Sequence, residues 1–280
     1  MARVDQAEGL RRLLEVPKLK VYSFLSVLSD SEKNSMLINL SDCIARRGQK
    51  IILVDAKSSS SSIGAWLNVK SDHTLLDVAR QQRTMETVVR EVNDGFSVAM
   101  VSKFQGGLHH LPSNCLRELS KTFDLALSRS DVALVDAEID EQDCFQLASL
   151  DESELVIQLS TETETIKAAY ALIKRLNNRL GRRTYDILVS DAEVEQAHLV
   201  FENLAHTASR YLAVQLRFFG FVPDDSYLKR ATQMGRSVLD AFPRALSSIA
   251  FSSLADEIKR NAPEPLYAKR FSNLGAQLEL

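Results

Sequence analysis

Residues 21–42 read VYSFLSVLSDSEKNSMLINLSD. The apolar run Val21–Leu28 has the composition of a strand, and Ser31–Arg47 reads as a helix. Strand, short turn and helix make the opening unit of an α/β protein, and the alternation continues outward from it. Strands are expected at Leu19–Leu28, Lys50–Asp55, Phe96–Val101, Val132–Asp136, Leu155–Ser160, Ile187–Val189 and Leu216–Val222. Helices are expected at Ser31–Arg47, Pro112–Ser128, Asp140–Leu147, Thr163–Leu180 and Ala192–Tyr211, with more over Ser226–Arg260. IILVD (51–55) and VALVD (132–136) are nearly continuous apolar runs ending in an acid. Strands buried on both faces of a parallel sheet have this form. The alternation implies right-handed crossovers and an α/β fold: a doubly wound, mostly parallel sheet flanked by helices. Ligands of such sheets bind beyond the carboxyl ends of the strands, where Leu28, Asp55 and Asp136 fall.

The flanks are set off from this domain. Met1–Val16 reads as a short helix stopped by Pro17, and Pro263 and Pro265 break the chain near its other end. The expected organisation is an N-terminal helix (1–17), an α/β domain (18–260) and a tail (261–280). The chain has 280 residues, 45% hydrophobic and 25% charged, with a formal net charge of −3. These values fit a globular protein with a full core and give no bulk sign of nucleic-acid binding. Cys43, Cys115 and Cys144 are far apart, with neither metal spacing nor a disulfide framework, and are expected as small buried hydrophobes. No leader-like apolar stretch opens the sequence, and no run approaches the roughly 18 apolar residues of a membrane span. The expectation is a cytoplasmic protein, polar or peripheral at the membrane at most. The five histidines pair with no acid or cysteine at metal spacing, and no nucleophile–base constellation stands out.

The turn after the first strand carries the functional question. A phosphate loop has the form G-x-x-x-x-G-K-[ST], whose glycines let backbone amides curl round the phosphates. Set on Lys33, this chain reads Val27-Leu28-Ser29-Asp30-Ser31-Glu32-Lys33-Asn34. The lysine is kept. Val27 and Glu32 replace the glycines, and Asn34 stands at the metal-binding hydroxyl. Asp30 and Glu32 would face a polyanion, and like charges about 4 Å apart cost roughly 4 kcal/mol per pair at an effective dielectric near 20. Taken alone, the loop also fits an ordinary strand–turn–helix junction with Ser31 as N-cap.

Longer stretches decide between these. NLSDCIARRGQKIILVDA (39–56), SDVALVDA (130–137), TETETIKAAYALIKRLNNRLGRRTYDILVSDA (161–192) and the stretch from Phe218 to Ile258 occur in the order and spacing of one family. Over about residues 3 to 260 the chain resembles the MinD/ParA family of deviant Walker ATPases, P-loop NTPase-like proteins, and within it the FlhG (FleN) group. The departures lie in the nucleotide elements. The family loop is K-G-G-x-G-K-[ST], whose first lysine reaches across a dimer; that position is Leu28. The second strand of the family ends in D-x-D, whose later aspartate orients the attacking water; the triplet is Asp55-Ala56-Lys57. The switch that follows has become Ser58–Ser62 and Gly64, and Ala137-Glu138-Ile139-Asp140 replaces the glycine-containing switch after Asp136. The resemblance with these losses implies a pseudo-ATPase: no catalytic residues, no metal and no cofactor. Lys33, Asp55 and Asp136 are read as a structural Lys–Asp set, the alternative being a surviving Mg²⁺ site for ATP.

DQAEGLRRLL (5–14) resembles the D-Q-A-x-x-L-R activator helix of the FlhG group, matching at Asp5, Gln6, Ala7, Leu10 and Arg11. The resemblance implies a partner, the FlhF-type GTPase whose hydrolysis that helix stimulates, and beyond it flagellar switch proteins and a flagellar transcription activator. Val4, Ala7, Leu10 and Leu14 share one helical face, which would suit a partner's groove or the chain's own sheet. Tyr267, Phe271, Leu274 and Leu278 recur at helical spacing beside Lys269 and Arg270. That pattern fits intramolecular packing, or weak contact with an anionic membrane. Two other readings stay open: a working ATPase with an unusual loop that cycles on the membrane, and a scaffold of another machine such as cellulose secretion.

Overall fold

Residues 19–57, 63–67, 73–103, 108 and 110–261 are described in a computed structural model. The strands are β1 (Lys20–Ser26), β2 (Ile51–Asp55), β3 (Arg90–Asn93), β4 (Phe96–Met100), β5 (Val132–Asp136), β6 (Glu154–Ser160), β7 (Thr184–Ser190) and β8 (Gln215–Val222). They form a single sheet in the order β3-β4-β2-β5-β1-β6-β7-β8. Each pairing is parallel except β3 with β4. The doubly wound, mostly parallel sheet is therefore present.

Alternation along the buried strands divides the core in two. Ile51, Leu53, Val132, Leu134, Tyr22 and Phe24 face one side, where α1 (Asp30–Arg46) supplies Leu37, Leu40 and Ile44 and the last described helix (Leu246–Asn261) supplies Phe251, Leu254 and Ile258. Ile52, Val54, Ala133 and Val135 face the other side. There they meet the helices Ser113–Leu127, Thr163–Leu180 and Val194–Leu212 through Phe123, Ile173 and Leu204. Each fully buried side chain of this size contributes about 1.5–3 kcal/mol. The two layers fix the strand ends, and with them the edge where the site lies.

Several local expectations differ. Asp140–Leu147 is not a helix. Asp140 Oδ1 accepts from the amides of Gln142 (2.8 Å) and Cys144 (2.9 Å), and Ile139 bridges Phe145 in antiparallel fashion. A short acidic side chain here satisfies the amides that a helix would have used. The exposed strand β3 was not expected; it turns into β4 at Asp94-Gly95, where Gly95 adopts φ 80°. The short helices Ile63–Trp66, Leu75–Ala79 and Met85–Val88 span too few residues to show a period. Of the cysteines only Cys43 is buried; Cys115, in the first turn of Ser113–Leu127, and Cys144, in the irregular segment after β5, are half-buried.

Candidate functional site at the carboxyl edge of the sheet

Strand register builds the acidic half of the site. β2 and β5 pair so that Asp55 lies directly beside Asp136. Both share the parity of Ile51, Leu53, Val132 and Leu134, so both side chains point to the α1 side of the sheet. α1 then lays Lys33 over them. Its ammonium pairs with Asp136 and donates to the Ala137 carbonyl at 2.8 Å. Asp136 and Lys33 are both buried.

The second cation comes from the segment just after β2. Lys57 is buried, and its Nζ lies 3.3 Å from Asp136 Oδ2 and 2.8 Å from Asp30 Oδ1. Asp136 thus sits between two ammonium groups from different segments, meeting them by charge alone. Neither of its oxygens receives a well-aligned hydrogen bond among the described residues. Burial by itself would lower the Lys57 pKa, but Asp136 and then Asp30 outweigh it and hold the group above its ordinary value. Asp55 is pushed up to about 6, first by burial and then by the neighbouring Asp136. Its carboxylate accepts from the amides of Lys57 (3.2 Å) and Ile63 (3.1 Å), closing the loop that follows β2.

Five amides of the turn between β1 and α1 donate within the chain. Val27 N–H donates to the Gln158 carbonyl (3.1 Å) and Leu28 N–H to Ser26 Oγ (3.1 Å). Ser29 N–H donates to Glu32 Oε2 (3.0 Å), Glu32 N–H to Ser29 Oγ (3.3 Å) and Lys33 N–H to the Ser29 carbonyl (3.1 Å). Ser29 and Glu32 form a reciprocal capping box, so the N-cap is Ser29 and not Ser31. Glu32 folds back onto the positive end of α1, where an external anion would otherwise bind. Asn34 is buried, and neither of its amide atoms has a hydrogen-bond partner among the described residues.

The residues expected at this edge are thus brought together: Val27 to Asn34 around the turn, and Asp55, Lys57 and Asp136 beneath it. What the sequence reading missed is the direction of Lys57. It was read as a lost carboxylate, and it is a gained cation. Asp5, Gln6, Ala7, Leu10 and Arg11, the serine run at 58–62 and the tail beyond 261 lie outside the described residues. Among the described residues no group of acids, histidines and cysteines has the form of a metal site, and no helix is long and apolar enough to cross a membrane. A magnesium triphosphate, which the fold implies, needs free amides and an unshared acid, whereas here the amides of Val27, Leu28, Ser29, Glu32 and Lys33 donate within the chain and Asp136 is shared by two lysines.

Comparison with known proteins agrees with the fold. No family model matches the chain. It is 26% identical over 227 residues to the antiactivator FleN of Pseudomonas aeruginosa, covering 81% of each. It is 20% identical over 263 residues to the flagellum site-determining protein YlxH of Helicobacter pylori, covering 90% of this chain and 89% of that one. Among solved structures, the MinD cell division protein of Aquifex aeolicus superposes with a TM-score of 0.64 at 19% identity, covering 88% of this chain and 99% of that one.

Proposed function

The chain is a FleN-like member of the MinD/ParA family, and from that premise we propose a flagellar regulator that acts by protein contact and does not use nucleotide. The observation that carries the reading is the turn before α1, whose amides at Val27, Leu28, Ser29, Glu32 and Lys33 all donate within the chain. A triphosphate would have to displace Glu32 from the helix terminus and compete with Asp30 for Lys57. Regulation then falls to surfaces, foremost the N-terminal segment carrying Asp5, Gln6, Ala7, Leu10 and Arg11, which would stimulate GTP hydrolysis by an FlhF-type GTPase. A glutamine amide can orient a water or a switch backbone, the kind of help such enzymes use. Flagellar switch proteins and a flagellar transcription activator are further partners of the same reading.

Retention of Lys33, Asp55 and Asp136 favours the rival, an ATPase with an unusual loop. Calorimetric titration of the full chain with Mg²⁺ and ATP separates the two. No heat of binding is expected, and micromolar affinity would overturn the nucleotide-independent reading. The partner half is tested with an FlhF-type GTPase: the full chain should accelerate hydrolysis and Gln6→Ala should remove the acceleration. Equal rates with and without the full chain would end that assignment.

A further inference from the structure

Lys57 Nζ occupies an unusual position for a lysine two residues beyond a strand. It is buried, at 3% side-chain exposure, and touches carboxylates from two segments remote in sequence: Asp30 at the start of α1 and Asp136 at the end of β5. Its own backbone amide is held by Asp55. Two acids from two segments thus meet on one ammonium, with Lys33 taking the other oxygen of Asp136. In nucleotide-binding proteins of this sheet type a divalent cation held by the acid at the end of such a strand does the joining. We propose that Lys57 is a tethered cation filling a divalent-cation position, so that the turn before α1, the loop after β2 and the end of β5 stay assembled without metal. The inference rests on the nucleotide-independent reading given above.

The chemistry behind it is simple. Asp30 and Asp136, the two acids on the Lys57 ammonium, carry hard carboxylate oxygens of the kind that Mg²⁺ or Mn²⁺ selects. An ammonium fixed on the chain at effectively saturating concentration excludes a free ion from that position. Removing the ammonium therefore does two things at once: it leaves acids uncompensated, and it creates a vacancy that a divalent ion can fill.

The experiment titrates MnCl₂, without nucleotide, into the full-length wild type and into Lys57→Ala, reading free Mn²⁺ by electron paramagnetic resonance and unfolding by thermal melting. The wild type should take up no Mn²⁺ at millimolar concentration, and its melting temperature should not respond. Lys57→Ala should melt lower than the wild type and bind Mn²⁺ at least about tenfold more tightly. It should recover part of its melting temperature when the ion is added. Lys57→Met, neutral and of similar length, serves if the alanine variant does not fold, and the wild-type titration stands without either. Mn²⁺ uptake by the wild type overturns the proposal. So does a folded variant that is destabilised but binds no metal, since Lys57 would then be an ordinary ion-pair partner. ATP binding by the wild type would instead count against the nucleotide-independent reading and leave the metal result standing.

Discussion

Asp186 and Arg217 face each other across the paired strands β7 and β8, whereas Asp136 is met by lysines from two separate segments. The first pair is a product of register. Arg217 grips Asp186 in bidentate fashion at 2.6 and 2.7 Å, stays 41% exposed, and has Glu154 3.8 Å away as a second acid. The second cluster draws α1, the loop after β2 and the end of β5 to one point, with Lys33, Lys57 and Asp136 buried and Asp30 open to water. A pair made by adjacent strands secures an edge that is already paired. A cluster collected from three segments ties a helix start and a loop to a strand end through side chains, where no ladder of backbone bonds can reach Asp30. The comparison predicts that equal chemistry will have unequal cost.

Asp136→Asn should be the most damaging single change at either place, because it leaves two buried ammonium groups facing a neutral amide. Breaking a buried pair on one side costs about 3–5 kcal/mol. Asp186→Asn should cost only about 1–2 kcal/mol, since the freed Arg217 can turn to water and to Glu154. Denaturant unfolding of both variants at neutral pH measures the contrast, and equal losses would erase it.

Asp55 sharpens the comparison through pH. Its folded pKa of about 6 lies above the ordinary carboxylate value. Between about pH 4 and 6 the folded state therefore binds more protons than the unfolded one, and this group's contribution to stability is lost as pH rises through that window. Two units correspond to at most about 3 kcal/mol. Asp55→Asn should remove this loss, so the variant should gain on the wild type as pH is raised from 4 to 7. One of the two amides held by Asp55 will keep a weaker acceptor, which trims the gain. A stability difference flat across that window would show that burial and the neighbouring Asp136 do not raise Asp55 as the geometry implies.

How much of this the sequence discloses depends on how far each feature reaches. IILVD and VALVD disclose two central strands, and their terminal acids disclose that Asp55 and Asp136 lie at one edge; the register that sets them side by side follows from the parallel pairing. Lys57 is legible as a departure from the family triplet but not as a cation aimed at Asp136, because a loop residue's direction is set by contacts 27 and 79 residues away in sequence. Asp140–Leu147 follows a strand as a helix would, yet the Asp140 carboxylate decides the local backbone. β3 carries an Asp-Gly turn signal, but four mostly exposed residues offer no apolar run to attach it to.

The smallest effect concerns the turn itself. SDSE at 29–32 is a capping-box sequence, and the hydroxyl that caps is that of Ser29, while Ser31 lies inside the first turn. Ser29→Ala removes the acceptor for the Glu32 amide and loosens Glu32 from the Ser29 amide, at a cost of about 1 kcal/mol. Ser31→Ala should be neutral within a few tenths of a kcal/mol, alanine being the better helix former there. Parallel denaturant melts of the two variants distinguish a turn closed by its own carboxylate from one closed by Ser31. If Ser31→Ala proves the costlier change, Glu32 is not seated on the helix terminus, the amides of the turn are free, and the contrast between this edge and the Asp186–Arg217 pair loses its main support.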